Sequence, residues 1–259
     1  MASGTGFGIR ASKRGVADGG VATPPPGPGN SLLALLPPDA LSRLATHVER
    51  VTFARKDVLF RAREPLRAVY FPITAVVSLV ATLDSGSELE VGQIGRDGLA
   101  GTAVLPGVET MPCDGVVQIP GTMYRVNADA LRGEMLADPL VQTVITAYTH
   151  LLLGRSIQLL LCTAFHPVEQ RCVRWLLTVS DLIDAQEIPL THDLLATMLG
   201  VRRPTVTLVI RSLRRAGLVD EKRARVTIRD RAGLEAACCE CYGAMRTMSA
   251  LNEAETFLR

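Results

Sequence analysis

Between residues 39 and 48 the apolar positions Leu41, Leu44, Ala45 and Val48 recur at helical spacing, directly after Pro37-Pro38-Asp39. The pattern then changes to period two. Strands are expected at Val51–Ala54, Val58–Arg61, Ala68–Phe71, Val76–Leu83, Glu88–Gln93, Val116–Ile119 and Met123–Val126, separated by turn residues such as Asp84-Ser85-Gly86-Ser87. A succession of short strands like this predicts a sandwich or jelly roll. From Leu131 the helical period returns, and Val141, Ile145, Tyr148, Leu152, Arg155, Leu159 and Cys162 alternate spacings of four and three. Such a seam packs either on the chain's own barrel or on a second copy. A dimer helix, with Val141, Ile145, Tyr148, Leu152 and Leu159 as its contacts, is the expectation, because a long stripe after a closed barrel still needs a partner. Arg155 is the misfit on that seam. The helix breaks at Phe165-His166-Pro167, resumes through Trp175 to Ile183, and a second domain begins near Pro189-Leu190-Thr191.

In that second domain Thr191 can cap a helix whose buried face is Leu194, Leu195 and Met198, and Gly200 follows where the chain must turn sharply. Another helix runs from Arg203 to Ala216 and stops at Gly217. Helix, short glycine turn, helix is the spacing of a helix-turn-helix. With Arg203 at zero and residues about 100° apart, Val206, Val209, Ile210, Leu213 and Ala216 fall on one side and make the core face. Arg203, Thr207, Arg211 and Arg214 fall together on another. Pro204 is tolerated in the first turn, and the N-terminal end of such a helix is the part that enters a major groove. Arg203, Thr207 and Arg211 are therefore the candidate base readers. Residues 218–228 read as a hairpin with a basic tip, a wing beside the helix. Lys222, Arg223 and Arg225, with Arg202, Thr205 and Arg214, are the candidate backbone contacts.

Charge changes the picture because it is unevenly placed. The 259-residue chain has a net charge of only +2, yet residues 200–231 hold 10 basic and 3 acidic side chains. That stripe suits a polyanion. Residues 1–30 contain 8 Gly and 4 Pro and are expected to be a disordered tail. No run of 18 uninterrupted apolar residues occurs, so no membrane span is expected. With no apolar leader, a cytoplasmic location and six reduced cysteines are expected. The cysteines form no CxxC pair, and ordinary helix packing is expected of Cys238, Cys239 and Cys241 in preference to a redox or metal role. No cofactor and no metal site are expected.

Three stretches give the chain a likeness: Ile94-Gly95-Arg96-Asp97-Gly98-Leu99-Ala100-Gly101, His166-Pro167-Val168-Glu169-Gln170-Arg171, and residues 190–219. Over almost all of residues 32–232 it resembles the CRP/FNR superfamily of bacterial transcription regulators. The resemblance implies an α+β chain with a cyclic-nucleotide-binding-type β jelly roll, a dimerisation helix and a C-terminal winged helix-turn-helix. It implies that Arg203 reads a guanine, while Pro204 and Leu208 replace other familiar base-reading residues. Gly95, Gly98, Leu99 and Gly101 match the effector-pocket turn. Leu99 stands where nucleotide binders carry a carboxylate, and residues 108–112 supply no arginine, so cyclic AMP is not the expected effector. An N-terminal iron-sulfur cysteine cluster is absent, the first cysteine being Cys113.

The domains expected are 1–30 as tail, 31–135 as jelly-roll sensor, 136–163 as dimerisation helix, 164–232 as DNA-binding domain and 233–259 as helical extension. The partners are double-stranded DNA and a second copy, with RNA polymerase and an unidentified small-molecule effector as candidates. Two rival readings are a jelly-roll metal enzyme and a protein-interaction module without DNA binding. The first needs histidines clustered on strands, and His47, His150, His166 and His192 are not so placed. The second lacks a use for the basic wing.

Overall fold

A computed structural model describes residues 29–253; the expected tail at 1–30 lies, but for its last two residues, outside them. The period-two segments become seven strands: β1 (Val48–Phe53), β2 (Val58–Phe60), β3 (Ala68–Pro72), β4 (Val76–Thr82), β5 (Glu88–Ile94), β6 (Asp114–Ile119) and β7 (Gly121–Asn127). They form two facing antiparallel sheets, ordered β1-β7-β3 and β2-β6-β4-β5. Alternating side chains fill the space between them, with Val51, Val69, Phe71, Val77, Ile94 and Met123 all buried. Helix α1 (Pro38–Leu44) is shorter than its apolar spacing predicts, and Val48 opens β1 instead of ending the helix.

After the barrel come α2 (Ala128–Ala137), capped by Asn127, and α3 (Pro139–Phe165), capped by Asp138. Here the expected dimer contacts need correction. Val141, Ile145, Tyr148, Leu152 and Leu159 are all buried within the single chain, the first four in the barrel core. The barrel is thus the partner that their stripe requires. Arg155 fits the seam because its guanidinium meets Asp97 at 2.5 Å, tying the helix to the turn after β5. The opposite face of α3 carries Leu153, Ile157, Leu160 and Leu161, all exposed. Apolar on both sides, the 27-residue α3 is long and apolar enough by length and composition to cross a membrane, with a mean hydropathy of 1.3 over an 18-residue stretch. The expectation that no segment qualifies is corrected to that extent: scattered polar residues do not lower the average enough.

Gly98 lies under Tyr148 of α3, where an added Cβ would come within 2.3 Å of the phenol oxygen. Tyr148 is fully buried and has no room to retreat. Gly98→Ala is therefore expected to destabilise the chain by about 1–3 kcal/mol or more, measured as a lower urea midpoint.

Helix α4 (Val168–Ile183) leads into the second unit: β8 (Glu187–Pro189), α5 (His192–Leu199), α6 (Arg203–Arg215), β9 (Val219–Lys222), β10 (Arg225–Ile228), α7 (Arg231–Ala237) and α8 (Cys241–Glu253). Trp175, Leu195, Val206, Ile210, Val226 and Leu234 build its core, and Val76, Val80 and Ile119 of the barrel join it. A boundary at 233 falls inside α7, whose Leu234 belongs to that core.

Candidate nucleic-acid interface

Each part of this interface follows from a local requirement. Thr191 accepts a hydrogen bond from the Leu194 N–H at 3.2 Å and starts α5. Gly200 ends it with φ of 62°, a conformation that favours glycine, and its Cα approaches Leu89 of β5 closely enough that a Cβ would sit 3.0 Å from a Leu89 methyl. Pro204 occupies the first turn of α6. Leu195, Ala196, Met198 and Leu199 of α5 are buried against Val206, Ile210 and Leu213 of α6, while Leu194 and Val209 are half-buried. Ala216, expected in the core, is exposed, because α6 ends one residue earlier and Ala216 serves as its cap.

The outward arc of α6 is turned from its expected position. Arg203, Pro204, Leu208, Arg211 and Arg215 are exposed and share it. Leu208 is 63% exposed. Thr207 lies at the margin: it is half-buried, and its hydroxyl is 2.9 Å from His192 Nδ1 and donates to the Arg203 carbonyl at 3.2 Å. Arg214 is exposed and 3.8 Å from Glu221 of the wing, and Arg203 Nε is 3.4 Å from Asp193. The other ring nitrogen of His192 lies 2.9 Å from Glu221. One edge of the helix is thereby latched to α5 and the wing, which pushes the solvent-facing centre toward Pro204, Leu208 and Arg211. The pairs of the exposed Arg203 with Asp193 and of the exposed Arg214 with Glu221 are each worth about 0–1 kcal/mol and yield readily to a polyanion.

The wing is an antiparallel hairpin of β9 and β10, extended by β8 into a three-stranded sheet. Its two turn residues, Arg223 and Ala224, have φ of 44° and 61°. Positive φ at both central positions gives the turn whose twist matches a tight hairpin. Lys222, Arg223 and Arg225 are exposed around it, with Lys222 3.8 Å from Asp220 and Arg225 paired to Glu187. Arg202 is exposed at the N-cap of α6 and Thr205 is half-buried one turn in. Both the outward arc of α6 and the wing tip thus carry exposed cations, and Arg214 of α6 reaches Glu221 of the wing.

At the barrel turn the structure places Leu99 and Ala100 in the core. The Ala100 N–H donates to the Tyr70 carbonyl at 2.8 Å, and the Gly98 N–H to the Gly95 carbonyl at 3.1 Å. Two amides that could meet a phosphate are therefore engaged by the barrel itself. Gly101 has φ of 103°, a turn requirement, and a Cβ at Gly95 would strike Leu182 of α4 at 2.8 Å.

Residues 50–138 match the family model for the cyclic nucleotide-binding domain, and residues 170–237 match that for the Crp-like helix-turn-helix domain. No curated protein matches the chain. Among solved structures, FixK2 from Bradyrhizobium japonicum is 17% identical with a TM-score of 0.65, over 74% of this chain and 98% of that one. A CRP-family transcriptional regulator from Thermus thermophilus is 20% identical, TM-score 0.61, over 73% and 95%. The c-di-GMP responsive global regulator CLP from Xanthomonas campestris is also 20% identical at a TM-score of 0.61, over 74% and 99%.

Proposed function

The chain belongs to the CRP/FNR superfamily, as a transcriptional regulator with a cyclic-nucleotide-binding-type domain and a helix-turn-helix, and from that premise we propose that it is a homodimer reading a two-fold symmetric DNA site without cyclic AMP as effector. The observation that carries this reading is the exposed arc of α6 together with a wing tip at which Lys222, Arg223 and Arg225 are all exposed. Arg203 and Arg211 bond base edges, and Leu208 adds an apolar contact suited to a thymine methyl. Thr207, engaged by His192, holds the helix to α5 and offers its methyl at the edge of the arc. Arg202, Thr205, Arg214, Lys222, Arg223 and Arg225 fix the register on phosphates. Selection of bound sequences from a random duplex pool tests the reading: a palindromic consensus is expected, and recovery of no consensus would overturn it.

The dimer face is the exposed stripe of α3. Thr143, Thr146, His150, Leu153, Ile157, Leu160 and Ala164 continue a spacing of three and four along it. An apolar helix face left open to water favours burial against a second copy. RNA polymerase and a small-molecule effector stand as further proposed partners, and the chain acts without catalysing a reaction. It works in the cytoplasm, where its DNA is. The expected sectors, with the barrel as sensor, α3 as dimer element and residues from 164 onward as DNA reader, serve as the working division.

For cyclic AMP and cyclic GMP the expected outcome is no saturable heat in calorimetry at millimolar nucleotide. A buried phosphate needs donors and a cation, and here the Gly98 and Ala100 amides are spent and Leu99 is core. Saturable binding together with altered DNA affinity would refute this.

A further inference from the structure

The cysteines set aside as ordinary packing residues converge with a histidine. Cys162, in the last turn of α3, and His166, four residues on at its cap, face Cys239, between α7 and α8, and Cys241, the first residue of α8. One ligand atom from each of the four lies within 4.8 Å of every other. The Cys162 and Cys239 sulfurs are 3.7 Å apart, and the Cys241 sulfur is 3.5 Å from His166 Nδ1. A tetrahedral ion with metal–sulfur bonds of about 2.3 Å and metal–nitrogen bonds of about 2.0–2.1 Å requires sulfur pairs about 3.8 Å apart and sulfur–nitrogen pairs about 3.5 Å apart. Both observed edges match. A [4Fe–4S] cluster seats each ligand on its own iron, and a [2Fe–2S] cluster seats two on each of two irons, so both need ligand pairs farther apart than the 4.8 Å that spans this set.

The surroundings complete the arrangement. His166 Nε2 lies 3.3 Å from the Glu240 carboxylate, which orients the ring so that Nδ1 faces the three sulfurs. A carboxylate behind a ligating imidazole fixes its tautomer and raises its basicity. Gln158 donates from Nε2 to the Cys241 sulfur at 3.1 Å. The guanidinium of Arg174 is buried nearby and acts electrostatically on the Cys162 sulfur; it donates to the Met245 sulfur at 3.9 Å, and its Nε has no hydrogen-bond partner among the described residues. Three thiolates, a neutral imidazole and a divalent ion carry one net negative charge, a counter-charge for that arginine.

We propose that Cys162, His166, Cys239 and Cys241 form a closed structural site for a single zinc ion, clipping the end of α3 to the α7–α8 junction across the His166-Pro167 break that leads to the DNA-binding domain. The proposal departs from the expectation, drawn from the cysteine spacing, that the chain holds no metal. Four protein ligands leave no open position, so the ion is structural.

Metal analysis of the full-length protein, purified without chelator, is expected to find about one zinc per chain. The chelated chain, refilled with cobalt(II), is expected to show the intense visible bands of a tetrahedral centre and a thiolate charge-transfer band, saturating at about one equivalent and erased by zinc. Cys239→Ser/Cys241→Ser should lose both signals, and Cys113→Ser, in the barrel, should keep them. If the double variant does not fold, the cobalt spectrum of the unaltered chain decides alone. An octahedral spectrum, stoichiometric iron with sulfide, or a chain that takes up no metal and joins Cys162 to Cys239 as a disulfide would each overturn the proposal. None of these readouts involves DNA, so their outcome is separate from that of the selection experiment.

Discussion

Ile157→Glu is expected to leave the protein monomeric and to weaken its binding to a palindromic site by at least about a hundredfold, toward non-specific affinity. Ile157 is exposed at the middle of the outward stripe of α3, between Leu153 and Leu160. In a two-fold interface the same residue enters from both copies, so one substitution places two like charges in one apolar contact. Neither carboxylate has a cation on that face of the helix, and both would be desolvated on association. A monomer then holds a single half-site, losing the second set of contacts and the spacing match. Sedimentation velocity at several concentrations and a DNA titration on the same sample measure the two effects together. Leu152→Glu is a different experiment: Leu152 is buried against the chain's own barrel, so that variant is expected to unfold, and its failure to dimerise would carry no information about the interface. An Ile157→Glu protein that stays dimeric and binds tightly would move the interface elsewhere.

The second large effect concerns base reading. Arg203→Ala is expected to flatten discrimination at one base pair of each half-site by about 1–3 kcal/mol, counted twice in a symmetric site. Its exposed pairing with Asp193 costs little to break, so most of that contact energy is available for DNA. Wing variants should behave differently. Removing the charge at Lys222, Arg223 or Arg225 should weaken consensus and scrambled duplexes alike and lower the salt slope by about one unit each. Competition titrations against single-base variants, repeated over a range of salt, separate the two classes. If Arg203→Ala keeps the full preference for its site, the reading arc lies farther round the helix, toward Leu208 and Arg215.

Much of the architecture is legible in the order of residues because it is local. Period-two runs fix the seven barrel strands to within a few residues. Thr191, Gly200 and Pro204 act through their own backbone positions, so the helix-turn-helix can be read without knowing what packs on it. The same holds for the hairpin tip, although nothing in Arg223-Ala224 announces a tight turn with positive φ at two residues that are not glycine. Its register closes on Lys222 opposite Arg225, and β8 pairs antiparallel with the other edge of β10.

Where side chains point is a different matter when a helix has two apolar faces. Along α3 one seam contains Val141, Ile145, Tyr148 and Leu152, the other Leu153, Ile157 and Leu160, and both recur at spacings of three and four. Periodicity establishes that each seam needs cover, but the barrel's position alone determines which one it takes. On α6 the same limit is smaller: the wheel finds the core, and the latches of Thr207 to His192 and Arg214 to Glu221 shift the outward arc, contacts that depend on α5 and the wing arriving beside the helix. The four candidate zinc ligands are the extreme case. Cys162 and Cys239 are 77 residues apart in sequence, and neither the C-x3-H pair nor the C-x-C pair has enough ligands for an ion. Sequence alone determined the elements, because backbone preference and burial periodicity act within a few residues. Tertiary structure decided the partners of each face and the meeting of the thiols, because those depend on distances that chain spacing does not encode.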